Sequence, residues 1–268
     1  MKIMLLNIQH ISSYHYDAPV HYSVLRLRMH PQSGPGQKVI DWSVQVEGAT
    51  QEANYRDGYG NRTMLIRLQR DTERLVIRAM GQVETEDKAG VLGKVYNFMP
   101  IWLYERDTAL TNAGDAIRAL AADLDSSLER LPLMHQLMGL LNQRVAYTPG
   151  STTITTTAEE ALLNGKGVCQ DHTHIFLATA RLLGIPARYV SGYLMLNHTI
   201  EQTASHAWAE VHIDGLGWVG FDAANDLCPN ETYVRIACGL DYREAAPISG
   251  IRMGPGIESL AVEVNVEQ

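Results

Sequence analysis

The sequence predicts an α+β protein in two parts. An antiparallel β-domain occupies residues 1–100, and a mixed α/β core with C-terminal strands occupies residues 101–268. Three observations lead there. Apolar and polar residues alternate through the first 85 positions, apolar residues recur at helical spacing between 116 and 183, and alternation returns beyond 187.

The alternation is explicit. Leu25, Leu27 and Met29 interleave with Arg26, Arg28 and His30; Trp42, Val44 and Val46 interleave with Ser43, Gln45 and Glu47. Residues 64–68 and 75–78 continue the pattern, and Ser33-Gly34-Pro35-Gly36, Asp57-Gly58 and Gly60-Asn61 supply turns. Strands at this spacing predict a small antiparallel sandwich or barrel. At the very start, the apolar stretch Ile3 to Leu6 is interrupted by Asn7, Gln9 and His10. Residues 86–112 lack periodicity and carry Gly90, Gly93 and Pro100, which marks a crossing between the two parts.

Helices are predicted over 116–124 and 133–145. In the second, Met134 and Met138 read as core filler. Thr157 followed three residues later by Glu160 is a capping box, and it opens a short helix that Gly165 ends. A further helix runs from Cys169 to Leu183 and closes at Gly184 and Pro186. Strands follow at 187–195, 206–213 and 218–222, the last two joined by the turn Asp214-Gly215-Leu216-Gly217. Leu260, Val262, Val264 and Val266 place one more strand in the tail.

Composition narrows the function. Hydrophobic residues make up 46% and charged residues 19%, a globular and not a disordered balance. The net charge of −8 disfavours nucleic acid as the main partner. No run approaches the ~20 apolar residues of a membrane helix, and no secretory leader is evident. Three cysteines, Cys169, Cys228 and Cys238, are too few and odd in number for a disulfide framework. The expectation is a cytoplasmic protein with neither a nucleic-acid nor a membrane partner.

Three segments carry chemistry. In Gly167-Val168-Cys169-Gln170-Asp171 the cysteine starts a helix behind glycines. The positive end of the helix favours the nucleophilic thiolate, and its free N–H groups suit a developing oxyanion. An isolated cysteine is more often a structural one; the glycine-flanked helix start makes the two readings even. In Ser205-His206-Ala207-Trp208, His206 opens a strand and can exchange a proton with the thiol and later with a leaving amine. In Gly217-Trp218-Val219-Gly220-Phe221-Asp222, Asp222 ends the strand paired by the hairpin to that of His206. Its carboxylate is expected to accept from Nδ1 of His206 and fix the tautomer. Alone, a strand-ending aspartate is more often a turn cap, and one histidine among ten means little.

The ordered set resembles the transglutaminase-like superfamily, in a bacterial branch described as transglutaminase-like enzymes or cysteine proteases. The resemblance rests on residues 147–150, 165–171 and 184–193, on His174, and on the His206 and Asp222 segments. Tyr14-His15-Tyr16, Pro19-Val20, residues 27–31 and residues 57–61 extend it to that branch's N-terminal β-domain. It implies a papain-like, transglutaminase-like core with Cys169 as nucleophile, His206 as base and acid, and Asp222 as orienting carboxylate. Ala223-Ala224-Asn225 departs from the usual Pro-Thr-Asn, and His172 stands beside a usual aromatic position. Both changes touch the pocket and not the triad.

The expected activity is acyl transfer from an amide or peptide bond through a thioester, with hydrolysis ahead of crosslinking. The substrate is an amide-containing protein or peptide, and no cofactor or metal is expected. Three rivals stay open: a protein-glutamine transglutaminase, a catalytically silent binding module, and a zinc site built from Cys169, His172, His174 and His206. Gln170 and Tyr147 both remain candidates for a second oxyanion donor. Asp171 reads as a brace for the first helical turn, Trp208 and Trp218 as core aromatics or walls, and the β-domain as a unit that positions or docks substrate.

Overall fold

The computed structural model describes residues 3–69, 71–95, 98–196, 201–202 and 205–268. Six strands form first: β1 (Ile3–Val20), β2 (Tyr22–Leu27), β3 (Gln37–Glu47), β4 (Ala49–Arg56), β5 (Arg62–Leu68) and β6 (Thr72–Glu86). Short β7 (Val91–Gly93) leads through a 3-10 turn at Ile101–Glu105 to α1 (Asp115–Ala122) and α2 (Arg130–Arg144). Then come β8 (Ala146–Tyr147), α3 (Ala158–Asn164), β9 (Lys166–Gly167) and α4 (Cys169–Leu182). The chain continues with β10 (Ala187–Leu194), β11 (Glu201–Gln202), β12 (His206–Ile213), β13 (Gly217–Phe221) and β14 (Tyr233–Gly239). It closes with α5 (Tyr242–Ala245), β15 (Ile248–Met253) and β16 (Glu258–Glu267). The fold is the mixed α/β class that the alternating and helical patterns predict.

β1 buries every second residue along most of its length. His10 and Ser12 occupy buried positions in that series, at 3% and 1% exposure. His10 is held there by the hydroxyls of Tyr193 and Ser12 at 2.9 and 3.0 Å, so the break at His10 does not end the strand. Sheets of order β11-β16-β1-β6-β3 and β15-β2-β5-β4 face each other across Tyr14, Tyr16, Leu27, Met29, Ile66 and Ile77. The tail strands β15 and β16 pair with β2 and β1, so the chain's end returns to the β-domain. In the other direction, β7 joins the core by pairing with β13.

The core sheet has the order β14-β10-β12-β13-β7. Helix α4 lies against it and is buried from Asp171 to Arg181, because Ile175, Phe176, Leu177 and Ala178 meet Ala187, Ala207, Ala209 and Phe221. Elsewhere Tyr193, Val234 and Ile236 pack against Met4, Leu6, Val83 and Val264 of the β-domain. Edge strand β14 is closed by two side-chain amides. Gln37 donates to Arg235 O at 2.9 Å and accepts from Arg235 N at 2.7 Å. Asn61 does the same for Cys238, at 2.7 and 2.9 Å. Each amide stands in for the neighbouring strand that an open edge lacks.

Candidate active site

Cys169 is the first residue of α4. The two-residue parallel pair β8 and β9 delivers the chain to it, with Tyr147 beside Gly167. Asp171 fixes the approach: its Oδ2 accepts from Val168 N and from Thr152 Oγ1, both at 2.7 Å. The predicted brace is therefore present. Gly167 is required by the same contact, because a Cβ there would lie 2.6 Å from Cβ of Asp171. In the first turn the N–H groups of Cys169 and Gln170 precede any intrahelical acceptor, so they remain available to an oxyanion.

His206 opens β12, and the hairpin through 214–217 returns the chain to Asp222 just past β13. The two side chains meet at 2.6 Å. The contact corrects one expectation: Nε2, not Nδ1, holds the carboxylate. Register gives the reason. Ala209 pairs with Phe221, so continuing one step would set Asp222 opposite Trp208, diagonal to His206. A diagonal partner is farther away and meets the distal ring nitrogen. Nδ1 is left free of the carboxylate, and Cys169 lies near enough to His206 to raise its pKa. The structure thus joins His206 to Asp222 and sets Cys169 near that pair.

Asp222 is 1% exposed and accepts further hydrogen bonds. Ala224 N and Asn225 N donate to Oδ1 at 3.1 and 3.3 Å. Asn225 Nδ2 and the Tyr233 hydroxyl each donate to Oδ2 at 2.7 Å. Burial alone would raise its pKa, but His206, Asn225 and Tyr233 outweigh burial and hold it below the usual carboxylate value. Burial likewise works against charge on His206; its bond to Asp222 and the nearness of Cys169 prevail and raise it to about 10. Burial first, and then the charge of Cys169, push the Tyr147, Tyr189 and Tyr242 hydroxyls upward.

Tyr233 and Asn225 are site residues that the sequence alone does not single out. Asn225 is visible there as the end of an altered segment, whereas Tyr233 arrives from β14, which pairs with β10 and not with β13. Trp208 is buried and stacks on the His206 ring, with centroids 6.3 Å apart and planes at 28°. Gly192 sits opposite His206, and a Cβ there would strike the Trp208 indole at 2.5 Å. His172 and His174 are drawn elsewhere. The ring nitrogens of His172 face Val168 O and Val145 O, both at 2.9 Å. His174 Nε2 accepts from Tyr242 N at 3.2 Å. No group of three or more His, Cys, Asp or Glu suited to a metal is assembled among the described residues. Trp218 lies in the core, under Arg188. Cys228 and Cys238 lie outside the triad contacts, and burial pushes the Cys228 thiol up to about 11.

Residues 118–223 match the transglutaminase-like superfamily, and residues 6–84 match the bacterial transglutaminase-like N-terminal region. The chain carries a transglutaminase-like core. Uncharacterized proteins of Mycobacterium leprae and Mycobacterium tuberculosis H37Rv are each 28% identical to it. Each alignment covers 97% of this chain, with 98% of the first protein and 91% of the second. A candidate cysteine protease from Cytophaga hutchinsonii, known from its crystal structure, superposes with a TM-score of 0.79 at 22% identity. That superposition spans all of this chain and 92% of the other, so the transglutaminase-like core and its β-domain share one overall fold with it. No helix among the described residues is long and apolar enough to cross a membrane.

Proposed function

We propose that the transglutaminase-like core is a cysteine-dependent acyl-transfer enzyme acting on amide or peptide bonds, with Cys169, His206 and Asp222 as its catalytic triad. One observation carries the reading. A cysteine at the first turn of a buried helix lies near enough to raise the pKa of an imidazole that meets a buried carboxylate at 2.6 Å.

With the thiol proton taken up by His206, the sulfur of Cys169 attacks the carbonyl carbon, and the C=O π electrons move onto oxygen. The N–H groups at the start of α4 receive that oxyanion. As the C–N bond breaks, His206 gives its proton to the leaving nitrogen, and ammonia or an amine departs. Asp222 holds the ring in place and balances its charge through the cycle. The thioester on Cys169 then yields to water, with His206 taking the water's proton and returning it to the departing sulfur, so that the carboxylic acid and thiol are regenerated. A primary amine in place of water would give transamidation. Likeness to a candidate cysteine protease, and the need for no second substrate beyond water, set hydrolysis ahead.

Incubation with glutaminyl and peptidyl p-nitroanilides tests this. Wild type is expected to release nitroaniline and to show an acyl adduct on Cys169 by intact mass, both absent in Cys169→Ala. Adding a fluorescent primary amine distinguishes the acceptors, since stable amine incorporation exceeding hydrolysis would make the enzyme a transglutaminase. Absence of turnover and adduct across the panel, with folded protein, would favour a silent binding module.

A further inference from the structure

A cavity of about 420 Å³ lies between the β-domain and the core, and none of the three triad residues lines it. Its volume falls in the small-ligand range. Trp208 and Tyr233 form part of its wall, the same rings that back His206 and hydrogen-bond Asp222. Pro35 and Leu92 extend the apolar surface.

The charge of this cavity runs against that of the chain. Arg56, Lys88, Arg188 and Arg235 line it, against the carboxylates of Glu86 and Glu210, in a protein of net charge −8. Glu210 is shared by two of those cations, at 2.7 Å from Arg188 Nε and 3.0 Å from Arg235 Nε. Arg188 is fully buried with its guanidinium 3.9 Å above Trp218, yet its Nη1 and Nη2 have no hydrogen-bond partner among the described residues. The indole Nε1 of Trp208, also in the wall, has none. Arg56 makes no ion pair with a carboxylate among the described residues; its polar contacts are Gln32 and Gly60 O. Buried donors without acceptors are costly and rare in folded proteins.

We propose that this cavity binds a small organic anion, a carboxylate or sulfonate on an apolar or aromatic body. The head group meets Arg56 and Arg235, and the body lies against Trp208 and Tyr233. The proposal stands apart from the acyl-transfer reading, because neither the site nor its test involves Cys169.

The probe is 8-anilinonaphthalene-1-sulfonate, an aromatic sulfonate, titrated into the full-length protein and followed by fluorescence. Binding near one site per chain is expected. Its uncharged analogue N-phenyl-1-naphthylamine should bind roughly tenfold more weakly or less, the loss of one charge-assisted contact. Arg188→Met risks unfolding by breaking a buried pair, so two surface variants carry the test. Arg56→Glu reverses the charge of an exposed lining residue and is expected to weaken the sulfonate by roughly tenfold while sparing the neutral analogue. Gly34→Trp adds bulk at the exposed lip, where a Cβ meets nothing within 4 Å, and should weaken both probes. Equal affinity for the two probes, or sulfonate binding unchanged in both variants, would overturn the proposal.

Discussion

Asp222 shows how much of the site depends on a single side chain. Its two oxygens accept from His206, Ala224, Asn225 and Tyr233 while nearly all of the residue is shielded from water. Tyr233→Phe removes one bond to a buried charge and should lower stability by about 1.5–3 kcal/mol in urea unfolding. Asp222→Asn keeps the shape and removes the charge; we expect alkylation of Cys169 at pH 6 to slow by roughly tenfold or more, a barrier rise of about 1.4 kcal/mol. The pair also sets a pH window. His206 titrates at about 10 folded against 6.5 unfolded, so its stabilisation is complete below about 6.5 and is lost as pH rises through 10. Asp222 is depressed in the fold, so its share is present above the ordinary carboxylate range and is lost as pH falls. The stability gap between wild type and His206→Gln is therefore widest near pH 5–6 and narrows in both directions. A gap that widened up to pH 10 would contradict the assignment.

Elements with local signals are legible in the sequence. The capping box at Thr157 and Glu160 is present in both directions, and Gly165 ends that helix at φ 63°. The β12–β13 hairpin follows from its turn, and with it the meeting of His206 and Asp222. Elements whose cause is distant are not legible. The burial of the His10 side chain in β1 is satisfied by Tyr193, 183 residues away, and no local pattern reveals a partner that removed. The same holds for Tyr233. Glu159 is a further case: from α3 it accepts from Ala116 N and Ile117 N at 2.7 and 3.1 Å, capping α1. Glu159→Ala should cost about 0.5–2 kcal/mol by thermal or urea unfolding. Gly167→Ala forces Asp171 from the first turn of α4 and is expected to cost about 1–3 kcal/mol, with slower labelling of Cys169.

Across the whole molecule, the β-domain and core share strands, apolar surface and an edge. The tail strands β15 and β16 complete the β-domain's sheets, and Gln37 and Asn61 complete β14. Removing residues 1–100 would bare that edge together with Tyr193, Val234 and Ile236. The truncated chain is expected to aggregate, as read by size exclusion. Asn61→Leu alone leaves two buried backbone groups of Cys238 unpaired and should cost about 2–4 kcal/mol in urea unfolding. The central claim is that this assembly holds an activated Cys169–His206 pair. The most direct measurement is the iodoacetamide labelling rate of each cysteine from pH 5 to 9, read by peptide mass spectrometry in wild type and His206→Ala. Cys228, with its thiol pushed up to about 11, is the internal reference. The account predicts that Cys169 labels rapidly at pH 6, far ahead of Cys228, and that the advantage disappears in His206→Ala. Labelling of Cys169 no faster than Cys228, or fast labelling indifferent to His206, would contradict it.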